Sequence, residues 1–87
     1  MQKRKVKVRN PHGLHLRNAA ELVKLANRYT SKITLCHGCV RADTCSILQV
    51  MALGAGPEAE LEIIADGPDE TAAIGEIAGL FSEGGGI

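Results

Sequence analysis

His15 is the residue of this chain best placed to do chemistry, because it stands directly before a segment with helical periodicity. The period begins at Leu16, so His15 lies where the first-turn N–H groups are unpaired and the helix dipole is positive. Such an end binds phosphate dianions. A histidine there can carry a phosphoryl group on a ring nitrogen, and Arg17 adds a forked donor for its oxygens. An ordinary surface histidine at a helix start is the alternative that these residues leave open.

Other histidines and the cysteines offer further candidate chemistry. His12 precedes His15 by three residues and could donate to a phosphoryl oxygen or share a metal with it, although turn histidines commonly do neither. Cys36 and Cys39 have the two-residue spacing of half a zinc site. With no second pair, a closed site would need His37, His12, Cys45 or another chain. We therefore expect buried, free thiols on strands and no bound metal, with a hairpin disulfide or a metal- or redox-sensing site as the alternatives.

Seven elements would position these side chains. Alternating residues predict strands at 5–9, 31–36, 39–43 and 60–65, and helical periodicity predicts helices at 16–28, 47–53 and 70–81, the second capped by Ser46. The order β-α-β-β-α-β-α predicts an α+β fold, an antiparallel sheet with helices on one face.

Two of the helices and the tail carry specific expectations. The buried face of the first helix is predicted to hold Leu16, Ala19, Ala20, Val23 and Ala26, with Leu22 at its margin. In the last helix, Gly75 and Gly79 share one face, where they either permit close packing or let the helix fray. The run of glycines at 84–86 is expected to be disordered.

Composition narrows the class of protein. At 87 residues the chain is expected to form one domain spanning 1–87. Aromatic residues make up 2% of it, too few for a base-stacking platform, so no nucleic-acid partner is expected. An odd number of cysteines, the absence of a long apolar run and the absence of a signal core predict a cytoplasmic protein without membrane insertion. A monomer is expected as well.

Charge is distributed unevenly although the formal net charge is zero. All the basic residues lie between Lys3 and Arg41, and most of the acidic residues follow Arg41. Folding could pair the two halves, or leave a basic face for an acidic partner.

The segment Gly13-Leu14-His15-Leu16-Arg17-Asn18-Ala19 closely resembles the active-site segment of the HPr family, whose pattern is Gly-Leu-His-Ala-Arg-Pro-Ala. The likeness extends over residues 10–23, over Ser46-Ile47 with 50–53, which resemble the family's second helix, and over its final turn at 65–70. Leu16 and Asn18 depart from the family's Ala and Pro. Since Pro would pre-set the first turn, Asn18 predicts a less rigid helix start.

The resemblance implies a fold and a function. The HPr fold is an open-faced sandwich of four antiparallel strands and three helices. His15 would be phosphorylated at its δ nitrogen, with Leu16 and Arg17 helping to bind the phosphate and Arg17 assisting transfer. Enzyme I, charged by phosphoenolpyruvate, would be the donor and a sugar-specific or regulatory enzyme IIA the acceptor. Such a protein is a stoichiometric relay rather than an enzyme, and it needs no cofactor.

Partner docking and regulation follow from the same resemblance. Docking would use the first two helices through Leu16, Ala20, Lys24, Ile47, Leu48 and Met51. Ser46 aligns with a serine that a dedicated kinase phosphorylates in some HPr proteins, although capping alone explains a serine there. The alternative function is a nitrogen-type regulatory module, in which phosphorylation controls only the choice of partner.

Overall fold

The structure is a computed structural model that describes residues 1–82 and 86–87. Its elements are β1 (Gln2–Lys7), α1 (Leu16–Ala26), β2 (Lys32–His37), β3 (Val40–Asp43), α2 (Ile47–Ala52), β4 (Glu60–Asp66) and α3 (Glu70–Leu80). The predicted order β-α-β-β-α-β-α is confirmed. The largest shift is in β1, which begins at Gln2 rather than at residue 5, because pairing with β4 extends to Gln2 opposite Ala65.

The four strands form one antiparallel sheet in the order β1-β4-β2-β3. Because β4 lies antiparallel between them, β1 and β2 run parallel and end at the same edge of the sheet. Leu61, Ile63 and Ala65 alternate along β4 and are buried, as the alternation that predicts this strand implies. The three helices cover that face, and the other face of the sheet is open, which is the predicted open-faced sandwich.

The buried face of α1 differs from the predicted one. Leu22, assigned to the margin, is fully buried, together with Ala19 and Ala26. Leu16 is 63% exposed, and Ala20 is exposed too. The apolar residues of this helix span more than one face, and the helix is oriented by the packing of Leu22 into the core rather than by the centre of the apolar arc.

The basic and acidic halves of the sequence meet in the sheet. Lys5 lies opposite Glu62 and Lys7 opposite Glu60 across the β1–β4 pair. Opposite charges across a strand pair are stabilising, so the charge asymmetry of the sequence is partly cancelled by the fold. The contact of Lys7 at ion-pair distance is with the exposed Glu58, at 3.2 Å.

Gly75 and Gly79 do not serve close packing. Both are exposed on α3, and a Cβ added at either one would meet no heavy atom within 4 Å. The helix nevertheless continues to Leu80, held by Ala73, Ile74, Ile77 and Ala78 on its buried face.

The predicted disorder of residues 84–86 falls partly outside the described residues, which leave out Gly84 and Gly85. For Gly86 the prediction is wrong. Its carbonyl oxygen accepts a hydrogen bond from Asn18 Nδ2 at 2.8 Å, and the next residue, Ile87, is buried in the core. Packing against α1 and the chain after β1 therefore overrides the flexibility expected of glycine.

Candidate functional site

His15 occupies the N-cap of α1, as the sequence predicts, with extended backbone angles of φ −102° and ψ 178°. Its carbonyl oxygen accepts the N–H of Ala19 at 2.9 Å, the first bond of the helix. His15 is half-buried and its ring makes no capping hydrogen bond, so the ring stays available to a phosphoryl group. Within residues 1–82 and 86–87, the N–H groups of Leu16 and Arg17 donate to no backbone acceptor outside the helix, and first-turn N–H groups have none within it, so they remain able to bind an anion.

The loop before His15 is pinned to the chain after α2. Leu14 is buried, and its N–H donates to the carbonyl oxygen of Ala55 at 2.9 Å. Gly13 has φ +73°, and a Cβ there would lie 2.8 Å from the Ala55 oxygen. Only glycine tolerates both that conformation and that approach. The loop therefore holds His15 in a fixed position relative to α1.

A cavity of about 240 Å³ lies beside His15. Its lining residues are Asn10, His15, Arg17, Asn18, Glu21 and Gly86. Arg17 is exposed and pairs with no carboxylate in the part of the chain that the structure describes. Its guanidinium is therefore free to bind an anion in this cavity. Glu21 places one carboxylate at the same cavity, one helical turn after Arg17.

His12 lies close to His15 but is not joined to it. The ring centroids are 6.2 Å apart in an edge-to-face arrangement. His12 is exposed, and its backbone N–H is held by the Asn10 side-chain oxygen at 2.9 Å. Among the described residues, no group of three metal-binding side chains includes the pair.

The residues expected to dock partners stand on two helices that pack against each other, α1 and α2. Leu48 is 79% exposed and Leu16 63% exposed, and Met51 is exposed too. Ala20 and Lys24 are exposed on α1, and Ile47 is half-buried on α2. Contiguous exposed apolar side chains are typical of interaction surfaces in general.

Ser46 caps α2 as predicted. Its hydroxyl oxygen accepts the N–H of Gln49 at 3.3 Å, which satisfies one unpaired donor of this short helix.

The cysteines are free, as expected, but they are not buried on strands. Cys39 and Cys45 are exposed in connecting segments, and only Cys36, half-buried in β2, lies on a strand. Desolvation and the neighbouring Asp43 carboxylate raise the pKa of the Cys45 thiol, which disfavours a reactive thiolate there. His37 is engaged elsewhere, with its Nδ1 atom 2.8 Å from the Leu53 carbonyl oxygen.

Sequence reasoning missed the roles of Asn10 and Asn18. Asn18 was expected to give a less rigid helix start than Pro would, yet its side chain is buried and hydrogen-bonded to Asn10 and Gly86. Asn10 connects the Gly86 carbonyl to the loop that carries His12. An asparagine within a helical turn was the one available signal, since such residues favour caps and turns over helix interiors.

Comparison with known proteins gives the class of this fold and site. The family model described as "PTS HPr component phosphorylation site" matches residues 2–83. The chain is 46% identical over 76 residues to the phosphocarrier protein HPr of Treponema pallidum (strain Nichols), covering 87% of this chain and 86% of that protein. It is 32% identical over 83 residues to HPr of Buchnera aphidicola, covering 95% and 98%.

Solved structures of HPr proteins have the same fold as this chain. HPr from Thermoanaerobacter tengcongensis superimposes with a TM-score of 0.93 at 29% identity, covering 100% of this chain and 98% of that one. The Bacillus subtilis protein Crh, a domain-swapped dimer, superimposes with a TM-score of 0.77 at 36% identity, covering 95% of each chain.

The chain belongs to the HPr family of the phosphotransferase system. It is a phosphocarrier, which carries a phosphoryl group between the proteins of that system rather than turning over a substrate of its own. No helix among the described residues is long and apolar enough to cross a membrane.

Proposed function

We propose that His15 accepts a phosphoryl group from phosphoenolpyruvate-charged enzyme I and passes it to an enzyme IIA. The Nδ1 lone pair of His15 attacks phosphorus in line with the bond to the donor histidine of enzyme I. That bond breaks, and the donor nitrogen keeps the electron pair. In the second transfer the roles reverse, and a nucleophilic nitrogen of the acceptor displaces His15.

The observation that carries this proposal is the position of His15 at the start of α1, with Arg17 lining the same cavity. The N–H groups of Leu16 and Arg17 would hold the phosphoryl oxygens, and the guanidinium would neutralise charge that spreads over them in the transition state. Little covalent chemistry is asked of the protein, because phosphoryl transfer depends mainly on positioning and charge stabilisation.

Partners would dock on the exposed surface of α1 and α2. The centre of a protein interface is apolar and excludes water. Around the site, that apolar area would come from Leu16, Ala20, Ile47, Leu48 and Met51. Arg17 and Lys24 lie on the exposed side of α1, where acidic residues of a partner would steer its approach.

The cellular setting follows from the same role. We infer a cytoplasmic, monomeric protein in which residues 1–87 act as one domain, without nucleic-acid or membrane partners. Ser46 is a candidate regulatory site, because a phosphate at the start of α2 would add negative charge beside Ile47 and Leu48 of the docking surface. A serine kinase is the partner that this regulation would require.

Transfer to an acceptor tests whether the protein is a relay or a regulatory module. The protein is phosphorylated with enzyme I and phosphoenolpyruvate, separated from enzyme I, and mixed with an enzyme IIA. We expect the phosphoryl group to leave this protein and appear on the acceptor, as followed by the intact masses of both. A phosphoryl group that loads onto this protein but moves to no enzyme IIA would support the regulatory module instead.

A further inference from the structure

Asn18 is buried in the first turn of α1, beside the exposed Arg17. Only 5% of it is exposed. Its Nδ2 group donates to the carbonyl oxygen of Gly86 at 2.8 Å, and its Oδ1 atom accepts Nδ2 of Asn10 at 3.4 Å. Asn10 Nδ2 also donates to the Gly86 oxygen at 3.3 Å. Two side-chain amides therefore hold one backbone carbonyl next to the site.

Ile87 fixes the same segment from the other side. Its side chain is 1% exposed and belongs to the hydrophobic core. Its carbonyl oxygen accepts the N–H groups of Arg9 at 2.6 Å and Asn10 at 2.8 Å, and its own N–H donates to Leu80 at 2.8 Å. Gly86 and Ile87 are thus attached to the end of α3, to the chain that follows β1, and to α1.

This anchored segment forms part of the wall of the cavity beside His15, where Gly86 and Asn18 both line the space that a phosphoryl group would enter. We propose that Asn18 is a positioning residue that holds Gly86 and Ile87 against the site and so limits the access of water to the phosphoryl group on His15. This inference rests on the proposed function, since it concerns the phosphorylated form of the same histidine.

Water is the competitor that such an arrangement would exclude. In hydrolysis, a water oxygen attacks phosphorus and the N–P bond breaks. The ring nitrogen keeps the bonding electron pair, and inorganic phosphate leaves with the proton balance made up by solvent. A phosphocarrier loses its phosphoryl group in this reaction. A cavity wall that keeps water away therefore lengthens the lifetime of the phosphorylated protein. A proline at position 18 has no side-chain amide and could not make the bond to Gly86.

The lifetime of the phosphorylated protein tests the inference. Wild type, Asn18→Ala, Ile87→Ser and the double variant are loaded with enzyme I and phosphoenolpyruvate, freed of enzyme I, and followed by intact mass. Each single variant is expected to lose its phosphoryl group about two- to tenfold faster. Asn18→Ala removes two side-chain hydrogen bonds that hold the segment, and Ile87→Ser removes the apolar packing that anchors it. The double variant should be little faster than the faster single variant, because both changes release the same segment.

Asn27→Ala is the matched control, since Asn27 is an exposed amide at the other end of α1, and its lifetime should equal that of wild type. Unchanged lifetimes in both single variants would overturn the inference, as would effects that multiply in the double variant. A purely structural role would lower the melting temperature and leave the lifetime unchanged. If Asn18→Ala does not fold, Ile87→Ser carries the test without altering α1. Wild type that accepts no phosphoryl group would overturn the proposed function itself.

Discussion

The Asp69 carboxylate accepts the backbone N–H of Ser31 at 2.9 Å and so ties the start of α3 to the chain that enters β2. The Ser31 hydroxyl and the N–H of Thr30 donate to the same carboxylate. Asp69 stands at the N-cap of α3 without capping it through its side chain. It serves instead to join two elements that lie far apart in the sequence.

This arrangement predicts a pH dependence of stability. The hydrogen bond from the Ser31 hydroxyl, followed by the bond from Thr30, lowers the pKa of Asp69 below its ordinary value of 3.8. A lowered pKa means that the stabilisation is complete above the ordinary value and is lost as the pH falls through the folded-state pKa. Asp69→Asn should therefore melt at a lower temperature at neutral pH and lose less stability on acidification. Thermal melts from neutral to acid pH check this, with the exposed Asp66→Asn as the control. Parallel melting curves for Asp69→Asn and wild type would contradict it.

Gly75→Ala should stabilise the protein. Gly75 is an exposed helical residue with open space around its Cβ position, and Ala is favoured over Gly in a helix interior by about 1 kcal/mol. Chemical denaturation measures the gain. The contrasting variant is Gly38→Ala. A Cβ at Gly38 would also meet no heavy atom within 4 Å, but Gly38 has φ +61° in the β2–β3 turn. This variant should therefore be destabilised by about 1–2 kcal/mol. A loss of stability in Gly75→Ala would show that α3 needs glycine there.

Arg17→Ala should slow phosphoryl transfer far more than it affects folding. Loss of a charged hydrogen-bond donor costs about 1.5–3 kcal/mol, or roughly a tenfold to hundredfold loss of rate. An exposed side chain usually changes stability by less than about 0.5 kcal/mol. Rapid-quench rates of loading from enzyme I, with melting temperatures, check both parts, and Arg28→Ala near the end of α1 is the control. A loss of rate matched by a loss of stability would assign Arg17 a structural role.

Glu21→Gln should raise the fraction of the protein that is phosphorylated at equilibrium with enzyme I. The carboxylate lines the same cavity as His15 and Arg17, where it would repel a phosphoryl dianion. Removing this exposed charge should increase the phosphorylated fraction about two- to fivefold at low salt. The increase should shrink as salt screens the interaction. Glu76→Gln, an exposed change on α3, is the control. No change at low salt would show that the Glu21 charge does not act on the site.

The strands and the site motif could be predicted from the sequence because their signals are local. The alternation of Leu61, Ile63 and Ala65 fixes the buried face of β4, and the placement of His15 needs only the onset of helical periodicity at Leu16. The face of α1 was predicted wrongly because Leu16 and Ala20 are apolar and exposed. Exposed apolar residues and buried core residues are of the same types, so hydrophobicity alone does not separate them.

The contact of Asn18 with Gly86 could not be predicted from the sequence, for a different reason. The two residues are separated by 68 positions in the chain, and no periodic pattern connects them. A run of glycines indicates conformational freedom, whereas the attachment of Gly86 depends on amides and on the burial of Ile87, which only the tertiary structure brings together.

The most direct test of the central claim is the site and stoichiometry of phosphorylation. Wild type, His15→Ala and His12→Ala are incubated with phosphoenolpyruvate and enzyme I, and their intact masses are measured. We predict that wild type and His12→Ala each gain one phosphoryl group, labile in acid and stable in alkali, and that His15→Ala gains none. A phosphoryl group that still appears on folded His15→Ala would contradict the account.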